Sequence, residues 1–248
     1  MAETRSEIDP PLSTEVPTGT SRRGDRAKAE KDGKGKGVLV VGLGRFGSSI
    51  ALTLERLGHD VLAVERSAAR VQHFTGRFPL VEADATNPEA LLQLGAKDFN
   101  VAVVGVGTSL EASVLITGNL VDMGTQQIWA KAISTEHSRI LHRIGAHHVV
   151  LPEADAGNRV AHLVSGKLLD YIEVEDDFTI VKMRPPRETQ GFTIGQSQIR
   201  KRYGVTVLGV KPPGEDFLYA TEETRISAND ILIVSGHAAL LERFAARP

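Results

Sequence analysis

The sequence predicts an α/β protein in which a doubly wound parallel sheet precedes a small α+β lobe. Between residues 37 and 152, short and uniformly apolar runs alternate with segments of helical periodicity. Such runs are typical of strands that are buried on both faces of a parallel sheet. A glycine-rich turn follows the first run, and beyond Pro152 the pattern changes to alternating strands and tight turns. These observations together indicate two lobes rather than one continuous sheet.

The strands and helices of the first lobe, residues 37–152, follow one another in a regular order. The first strand is VLVVGLG, and apolar residues then recur at helical spacing from Phe46 to Leu57, where a glycine ends the pattern. A short second helix surrounds Arg70, and Pro88 suits the first position of a third. The strand candidates are 38–44, 61–65, 78–84, 101–107, 127–132 and 147–151, and the later helices are 110–123 and 136–144.

The remaining chain divides into a tail, a crossover helix and a second lobe. Residues 1–36 contain few large apolar side chains, which predicts a disordered tail. Residues 153–170 are predicted to form the crossover helix, because apolar residues from Val160 to Leu168 recur at helical spacing. Residues 171–248 are predicted to form the small α+β lobe. Within it we predict strands around an acidic turn at 176–177, a hairpin turn at 212–214, a last strand at 230–236 and short helices at 196–202 and 238–245.

Composition and charge exclude several classes of protein. At 248 residues the chain corresponds to one or two domains of about 100–200 residues, and no apolar run approaches the ~20 residues of a membrane-spanning helix. The formal net charge of −2 gives no basis for nucleic-acid binding. The absence of cysteine excludes disulfides, thiolate catalysis and Cys-ligated metal centres. The N-terminus lacks the features of a secretory signal, so we expect a cytoplasmic protein.

The glycine-rich turn, Gly42-Leu43-Gly44-Arg45-Phe46-Gly47, predicts a binding site for an adenine nucleotide. Its first glycine permits a tight turn, the second lets a phosphate approach the backbone, and the third lets the helix pack closely on the strand. Unpaired N–H groups and the helix dipole then favour an anion at the start of the helix. Glu65 ends the second strand, where a carboxylate can accept hydrogen bonds from both ribose hydroxyls.

Further residues are expected to surround the adenosine. Asp84 and Ala85 follow the third strand, and Asp84 either faces the adenine edge or caps the next helix through an Asx turn. Gly105 and Gly107 follow the fourth strand, either as close-approach lining of the crevice or as turn formers alone. Arg66 either softens the repulsion between the acidic strand end and a 2′-phosphate or lies at the surface.

The phosphate end carries two cations that favour ATP or ADP over a nicotinamide dinucleotide. Arg45 lies at the start of the first helix, where it either neutralises a terminal phosphate or points to solvent. A cation at a helix N-terminus is mildly unfavourable unless an anion is bound. Lys131 lies at the end of the fifth strand and opens onto the same crevice, where we expect it to contact phosphate.

The sequence offers no recognisable set of catalytic residues. No tyrosine is followed by a lysine four positions later, and the histidines lack metal-binding spacing. Neither a G-x-S-x-G elbow nor a G-x-x-x-x-G-K-[ST] loop is present. Because a dehydrogenase needs an acid or base beside the nicotinamide, we predict a nucleotide sensor and not an enzyme. An NAD-dependent oxidoreductase is the alternative from another class.

Eight segments of the chain resemble one family in their order and spacing. They are GLGRFGSSIA, VLAVE, ADAT, VGVGTSLEAS, IWAKA, IGAHHVVLPE, RYGVTVLGVK and DILIVSGH, spread over residues 37–248. The chain thereby resembles the RCK proteins, regulators of K⁺ conductance, and especially the Ktr-type regulatory subunit of a bacterial potassium transporter. The resemblance implies a Rossmann-like nucleotide-binding RCK N-terminal domain at 37–152 and an RCK C-terminal regulatory domain at 171–248.

The resemblance also implies how such a protein assembles and acts. Homodimers are expected to form an octameric gating ring that binds ATP or ADP and gates a separate membrane potassium channel subunit. The ring would then lie peripherally at the inner face of the cell membrane. Within the same fold, the alternative is a Trk-type potassium transport regulator that binds NAD(H).

One residue of the first lobe and one at the start of the crossover helix take specific roles by the resemblance. Arg45 is expected to contact the terminal phosphate of a nucleotide in the neighbouring subunit. Glu153 is expected to help hold Mg²⁺ or Ca²⁺ between paired subunits beside ATP. The alternative for Glu153 is a carboxylate favoured by the dipole at the start of a helix.

The C-terminal lobe of related subunits is often a receptor for cyclic di-AMP at the dimer seam. The corresponding stretch here begins at Ile194. Ile199 and Val207 are expected to sandwich an adenine, while Arg200 meets a phosphate and Thr206 offers a hydroxyl. The alternative is a helix that packs Ile199 on the small β core, with its basic residues in solvent.

Overall fold

A computed structural model of the chain describes residues 37–164, 166–175 and 177–247. The tail predicted at 1–36 lies outside this described part. The described residues form one six-stranded sheet and one five-stranded sheet. No helix among them is both long and apolar enough to cross a membrane.

The first sheet is parallel and doubly wound, with the strand order β3-β2-β1-β4-β5-β6. Its strands are β1 (Gly37–Val41), β2 (Asp60–Glu65), β3 (Leu80–Glu82), β4 (Val101–Val104), β5 (Gln127–Lys131) and β6 (His148–Val150). Its helices are α1 (Arg45–Arg56), α2 (Ala68–Phe74), α3 (Pro88–Gln93), α4 (Leu110–Asp122) and α5 (Thr135–Ile144). The order reverses between β1 and β4, and ligands of such sheets bind at this point, outside the carboxyl ends of the strands.

Each face of this sheet has its own hydrophobic core. On one face Val40 and Val103 pack with Ala51 of α1, and on the other Leu39 and Ile128 pack in one cluster with buried residues of α4 and α5. The predicted α/β alternation is therefore confirmed.

Burial on both faces does not extend to the last two strands. Trp129 of β5 is 38% exposed, and its ring stacks on that of His148 with centroids 3.9 Å apart. Trp129 lies level with Val103 in the register, and therefore on the α1 side of the sheet. No helix in the described part of the chain fully covers this edge of the face.

The second lobe is an antiparallel sheet that packs one face against two helices. Val181, Leu232 and Val234 form its core together with Ile199 and Phe244. The strand order is β10-β9-β11-β8-β7. Its elements are β7 (Leu168–Glu175), β8 (Phe178–Met183), α7 (Ile194–Ser197), α8 (Ile199–Tyr203), β9 (Thr206–Lys211), β10 (Leu218–Tyr219), β11 (Ile231–His237) and α9 (Ala238–Ala245).

The crossover helix α6 (Pro152–Val164) joins the two lobes, and none of its residues is buried. Near its end, Arg159 forms an ion pair with Asp170 of β7 at 2.7 Å. His162 Nδ1 lies 2.8 Å from Glu242 Oε1 of α9. Leu163 also packs against the core of the second lobe, and the His162 ring stacks on that of Tyr171 at 3.9 Å. The end of α6 is therefore attached to the second lobe by polar contacts, a ring contact and one partly buried apolar side chain.

Two predicted helices differ from the structure. The helix predicted at 153–170 ends at Val164, because Gly166 takes a left-handed conformation with φ of 73° and Leu168 enters the core of the second lobe as the first residue of β7. The helix predicted at 196–202 is two helices, since Gln198 has φ of 46° and separates α7 from α8. The third strand is shorter than the predicted 78–84 and covers only Leu80–Glu82.

His137 of α5 is a titratable group inside the first lobe. Its side chain is fully buried, and Nδ1 accepts a hydrogen bond from the Ile133 N–H at 3.3 Å. Nε2 has no hydrogen-bond partner among the described residues. Burial lowers the pKa of His137 below its ordinary value, because a charged imidazole would lose its hydration.

We predict that His137→Asn makes folding stability less sensitive to acid. In the wild type, His137 binds its proton at higher pH when unfolded than when folded, so stability falls as pH drops below about 6.5. Asparagine keeps an acceptor for the Ile133 N–H but does not titrate. Urea unfolding at pH 7.5 and 5.5 should show that the variant loses less of its free energy of unfolding between these pH values than the wild type does. The difference should be up to about 1.4 kcal/mol per pH unit. An equal loss in both proteins would contradict this assignment.

Candidate functional site

The candidate site is a groove across the carboxyl ends of the central strands. The register sets Val41, Val64 and Val104 side by side in β1, β2 and β4. The residues that follow them, Gly42, Glu65 and Gly105, are therefore neighbours although they are far apart in sequence. The groove is lined by Gly42, Gly44, Glu65, Arg66, Arg70, Asp84, Ala85, Thr86, Gly105, Gly107, Thr108 and Ser109, and its continuation by Arg45, Phe46, Lys131, Ile133 and Glu153.

Two glycines of the turn are required by the fold itself. Gly42 has φ of 89°, and a Cβ there would lie 2.8 Å from Val106 Cγ2. A Cβ on Gly47 would overlap the Gly42 carbonyl oxygen, and Gly105 packs against the same atoms. These contacts hold the turn tightly on the sheet, as expected for a close strand-to-helix packing.

Gly44 is different, because nothing in the chain requires a glycine there. It precedes α1 with φ of −65° and ψ of −176°, which any residue can adopt. A Cβ on Gly44 would meet no atom within 4 Å. The space beside it is open to the groove, so the missing side chain leaves the backbone accessible from outside.

The start of α1 is suited to an anion. The helix has no side-chain cap at its N-terminus and no acidic residue in its first turn. Its first residue is Arg45, whose side chain is exposed. The unpaired N–H groups and the dipole of this helix are directed towards the groove beside Gly44.

Glu65 is a buried carboxylate that joins three parts of the groove. Its Oε2 accepts the Leu43 N–H at 2.7 Å, and its Oε1 accepts the Ser67 N–H at 2.8 Å. The guanidinium Nη1 of Arg70 lies 3.3 and 3.4 Å from the two oxygens. The glycine turn, the end of β2 and the start of α2 are thus held by one side chain.

Asp84 lies in the groove just after β3 and forms an Asx turn, but it does not cap α3 as its alternative role predicted. Its Oδ1 accepts hydrogen bonds from the Thr86 hydroxyl at 2.7 Å and the Thr86 N–H at 3.0 Å. These bonds hold the pKa of Asp84 below its ordinary value. Arg66 lies 3.8 Å away, with both side chains largely exposed. The N-cap of α3 is Asn87, which accepts the Glu89 N–H.

Lys131 and Glu153 meet in the continuation of the groove, near the start of α1. Lys131 Nζ donates to Glu153 Oε1 at 2.7 Å, where the lysine is 13% exposed and the glutamate 64%. The ammonium group also lies 5.9 Å from the centre of the Phe46 ring. The bond from Lys131, with a smaller contribution from the Arg45 charge, lowers the pKa of Glu153. Because Glu153 belongs to α6, this ion pair attaches the start of the crossover helix to the first lobe.

Within the described ranges, no three His, Cys, Asp or Glu side chains are close enough to hold a metal ion. Glu153 supplies a single exposed carboxylate, so the residues of one subunit do not complete a cation site. A cation there would need oxygen ligands from a phosphate or from a second copy of the chain.

The residues predicted to meet cyclic di-AMP lie in two different environments within one subunit. Arg200 and Thr206 line a shallow groove at the end of the second sheet, beside His237. Ile199 and Val207, in contrast, are buried in the core of the lobe. Within one subunit Ile199 therefore packs on the β core, as the alternative describes, and the adenine sandwich at a dimer seam stays a prediction. Ile194 packs against the same core.

Sequence reasoning missed Arg70 as a residue of the groove. The sequence does contain an indication of this role, because Arg70, in the first turn of α2, comes five positions after Glu65, the acidic end of β2. The distance between the two charges depends on the turn at Ser67, whose N–H also binds the carboxylate. That turn could not be read from periodicity.

Comparison with known proteins places the chain in a family. Residues 38–152 match the TrkA-N domain and residues 190–247 the TrkA-C domain. The chain is 35% identical over 213 residues to the Ktr system potassium uptake protein A of Bacillus subtilis (strain 168), covering 85% of this chain and 96% of that protein.

Two solved structures share the fold at 20% sequence identity. The crystal structure of the GsuK RCK domain aligns with a TM-score of 0.60 over 88% of this chain. The GsuK channel bound to NAD aligns with a TM-score of 0.61, also over 88% of this chain. The chain spans 49% and 40% of those two longer chains. With a TrkA-N domain followed by a TrkA-C domain, the chain belongs to the RCK family of Ktr potassium uptake proteins.

Proposed function

We propose that the groove of the first lobe binds ATP or ADP and that the chain is a regulatory, non-catalytic subunit of a Ktr-type potassium uptake system. The observation that carries the nucleotide site is Gly44, a glycine with ordinary backbone angles and open space where its side chain would be. Beside an uncapped helix N-terminus, that space fits a phosphate that approaches the backbone.

We expect the nucleotide to bind in one orientation along the groove. The ribose hydroxyls would lie against Glu65, and the adenine would lie near Asp84 and Ala85 at one end. The phosphates would then cross the glycine turn towards α1, with Gly105 and Gly107 as the opposite wall. The Arg66 guanidinium, next to Asp84, would lie beside the adenosine rather than beside the phosphates.

The phosphate end favours a charged phosphate chain. Arg45 and Lys131 both line it, and Glu153 is the acidic residue among its lining side chains. A β- or γ-phosphate would supply the anionic charge that two cations need, whereas an uncharged amide of nicotinamide would not. NAD(H) is the second candidate, since the GsuK channel, which shares the fold, has been solved with NAD.

ATP and a cation would act on the ion pair between Lys131 and Glu153. A phosphate competes for the ammonium group of Lys131, and Mg²⁺ or Ca²⁺ competes for the carboxylate of Glu153. The cation would take oxygen ligands from phosphate and from Glu153 of two paired subunits. Because Glu153 lies in the first turn of α6, the loss or gain of this ion pair would change how the crossover helix is held against the first lobe.

The chain is expected to act through assembly. An α6 without buried residues and an exposed Trp129 leave apolar surface that a second copy would cover. Homodimers joined into an octameric ring would bring several nucleotide sites together. The ring would bind a separate membrane channel subunit at the inner face of the membrane, and the similarity to Ktr protein A supports potassium as the transported ion.

We predict that Gly44→Ala folds but loses nucleotide binding. Alanine fits the backbone angles and the open space at 44, so the free energy of unfolding should change by less than about 1 kcal/mol. The added methyl would occupy the approach of the phosphate, and calorimetric titration should show ADP affinity lower by at least about tenfold.

Gly118→Ala is the control for this variant. It adds a methyl within α4, where the nearest atom is Ile144 Cγ2 at an ordinary 3.8 Å, and ADP binding should be unchanged. Wild-type ADP affinity in Gly44→Ala would contradict the proposed phosphate position.

We predict that Arg45→Ala weakens the binding of ATP more than the binding of ADP. Loss of one charge-assisted hydrogen bond to the terminal phosphate corresponds to roughly 1.5–3 kcal/mol, or a tenfold or larger rise in Kd. The measurement is calorimetry with ATP, ADP, NAD⁺ and NADH, each with and without Mg²⁺ or Ca²⁺. Arg56→Ala, at the other end of α1, should have no effect. Tight NADH binding without ATP binding would make the second candidate the correct one.

We predict that Val164→Glu weakens self-association. Val164 is 78% exposed on α6, and loss of its burial between subunits would cost about 1.5–3 kcal/mol. Sedimentation analysis should show the dimer dissociating at a protein concentration at least about tenfold higher than for the wild type. Leu57→Glu, at an apolar site that is 62% exposed at the end of α1, should leave the assembly unchanged. Equal effects of both variants would contradict the role given to α6.

A further inference from the structure

The starting observation is a difference between the three donors that bind Glu65. The Leu43 and Ser67 N–H groups belong to the backbone and are held by the glycine turn and the start of α2. Arg70 is a long side chain that is 51% exposed, while Glu65 is 5% exposed. Its hydrogen bonds, at 3.3 and 3.4 Å, are the longest of the set. Arg70 is therefore the donor that can leave without disturbing the fold.

Arg70 occupies acceptor positions that a ribose would need. A carboxylate has about four lone-pair positions, and two of these are taken by the backbone N–H groups of Leu43 and Ser67. The Arg70 guanidinium shares the remaining ones on both oxygens. Two ribose hydroxyls can bind both oxygens of Glu65 only if Arg70 moves aside.

The displaced guanidinium of Arg70 can bind a phosphate of the nucleotide instead. Arg70 lines both the adenosine end of the groove and its continuation towards Arg45 and Lys131. It is thus at the border between the ribose and the first phosphate. A guanidinium forms bidentate hydrogen bonds with phosphate as readily as with a carboxylate.

We propose that Arg70 is a specificity-determining residue that makes ribose binding depend on the presence of a phosphate. A nucleotide displaces Arg70 from Glu65 and offers its phosphate as the new partner. A nucleoside displaces Arg70 and offers no anion in return. The groove thereby selects adenine nucleotides against adenosine. This inference rests on the proposed function of the groove.

The test compares adenosine, AMP and ADP on the wild type and on Arg70→Met, which keeps the length of the side chain but removes its charge. Binding is measured by calorimetry and by displacement of a fluorescent ADP analogue. In the variant, adenosine should bind about three- to tenfold more tightly, because nothing has to be displaced from Glu65. ADP should bind more weakly, so the ratio of ADP to adenosine affinity should fall at least about tenfold.

Arg77→Met is the matched control, since Arg77 follows α2, is exposed and does not line the groove. It should keep the wild-type ratio. An unchanged ratio in Arg70→Met overturns the inference. An equal loss of affinity for adenosine and for ADP also overturns it, because Arg70 would then only hold Glu65 in place. Absence of ADP binding to the wild type is a different result and would refute the proposed function itself.

Discussion

The carboxylate of Glu65 is the constraint on which the geometry of the groove depends. A buried charge without partners would be strongly destabilising, and this one receives the Leu43 N–H, the Ser67 N–H and Arg70. The Leu43 N–H comes from the glycine turn, whereas Ser67 and Arg70 both belong to the start of α2. Satisfying one charge therefore fixes the glycine turn against the end of β2 and the start of α2. Under the proposed function the same side chain would also bind the ribose, which is why the donor that can move matters.

Much of the first lobe could be predicted because its signals are local. Uniformly apolar runs indicate buried parallel strands, and the steric demands at Gly42 and Gly47 arise within a single strand-to-helix turn. The contacts that define the groove are not local. The ion pair between Lys131 and Glu153 joins residues 22 positions apart, and it exists only because β5 and β6 are neighbours at the edge of the sheet.

In the second lobe, the apolar periodicity of the sequence does not predict every helix correctly. The stretch from 196 to 202 has the composition of one helix, yet Gln198 adopts a left-handed conformation between two short ones. That break changes which side of the helix each residue occupies, and Ile199 enters the core. A five-residue helix contains too few turns for its apolar pattern to show which face of the helix is buried. Only the packing against β8, β9 and β11 decides it.

The position of Glu153 explains how a nucleotide could act at a distance. The ion pair with Lys131 joins the first lobe to the start of α6, and the polar contacts of Arg159 and His162 join its end to the second lobe. A ligand shifts such an arrangement only by its differential affinity for the two states. Moving an equilibrium from 1:99 to 99:1 takes about 5.5 kcal/mol. One exchanged ion pair does not supply that, whereas several nucleotide sites coupled through repeated α6 contacts in one assembly would.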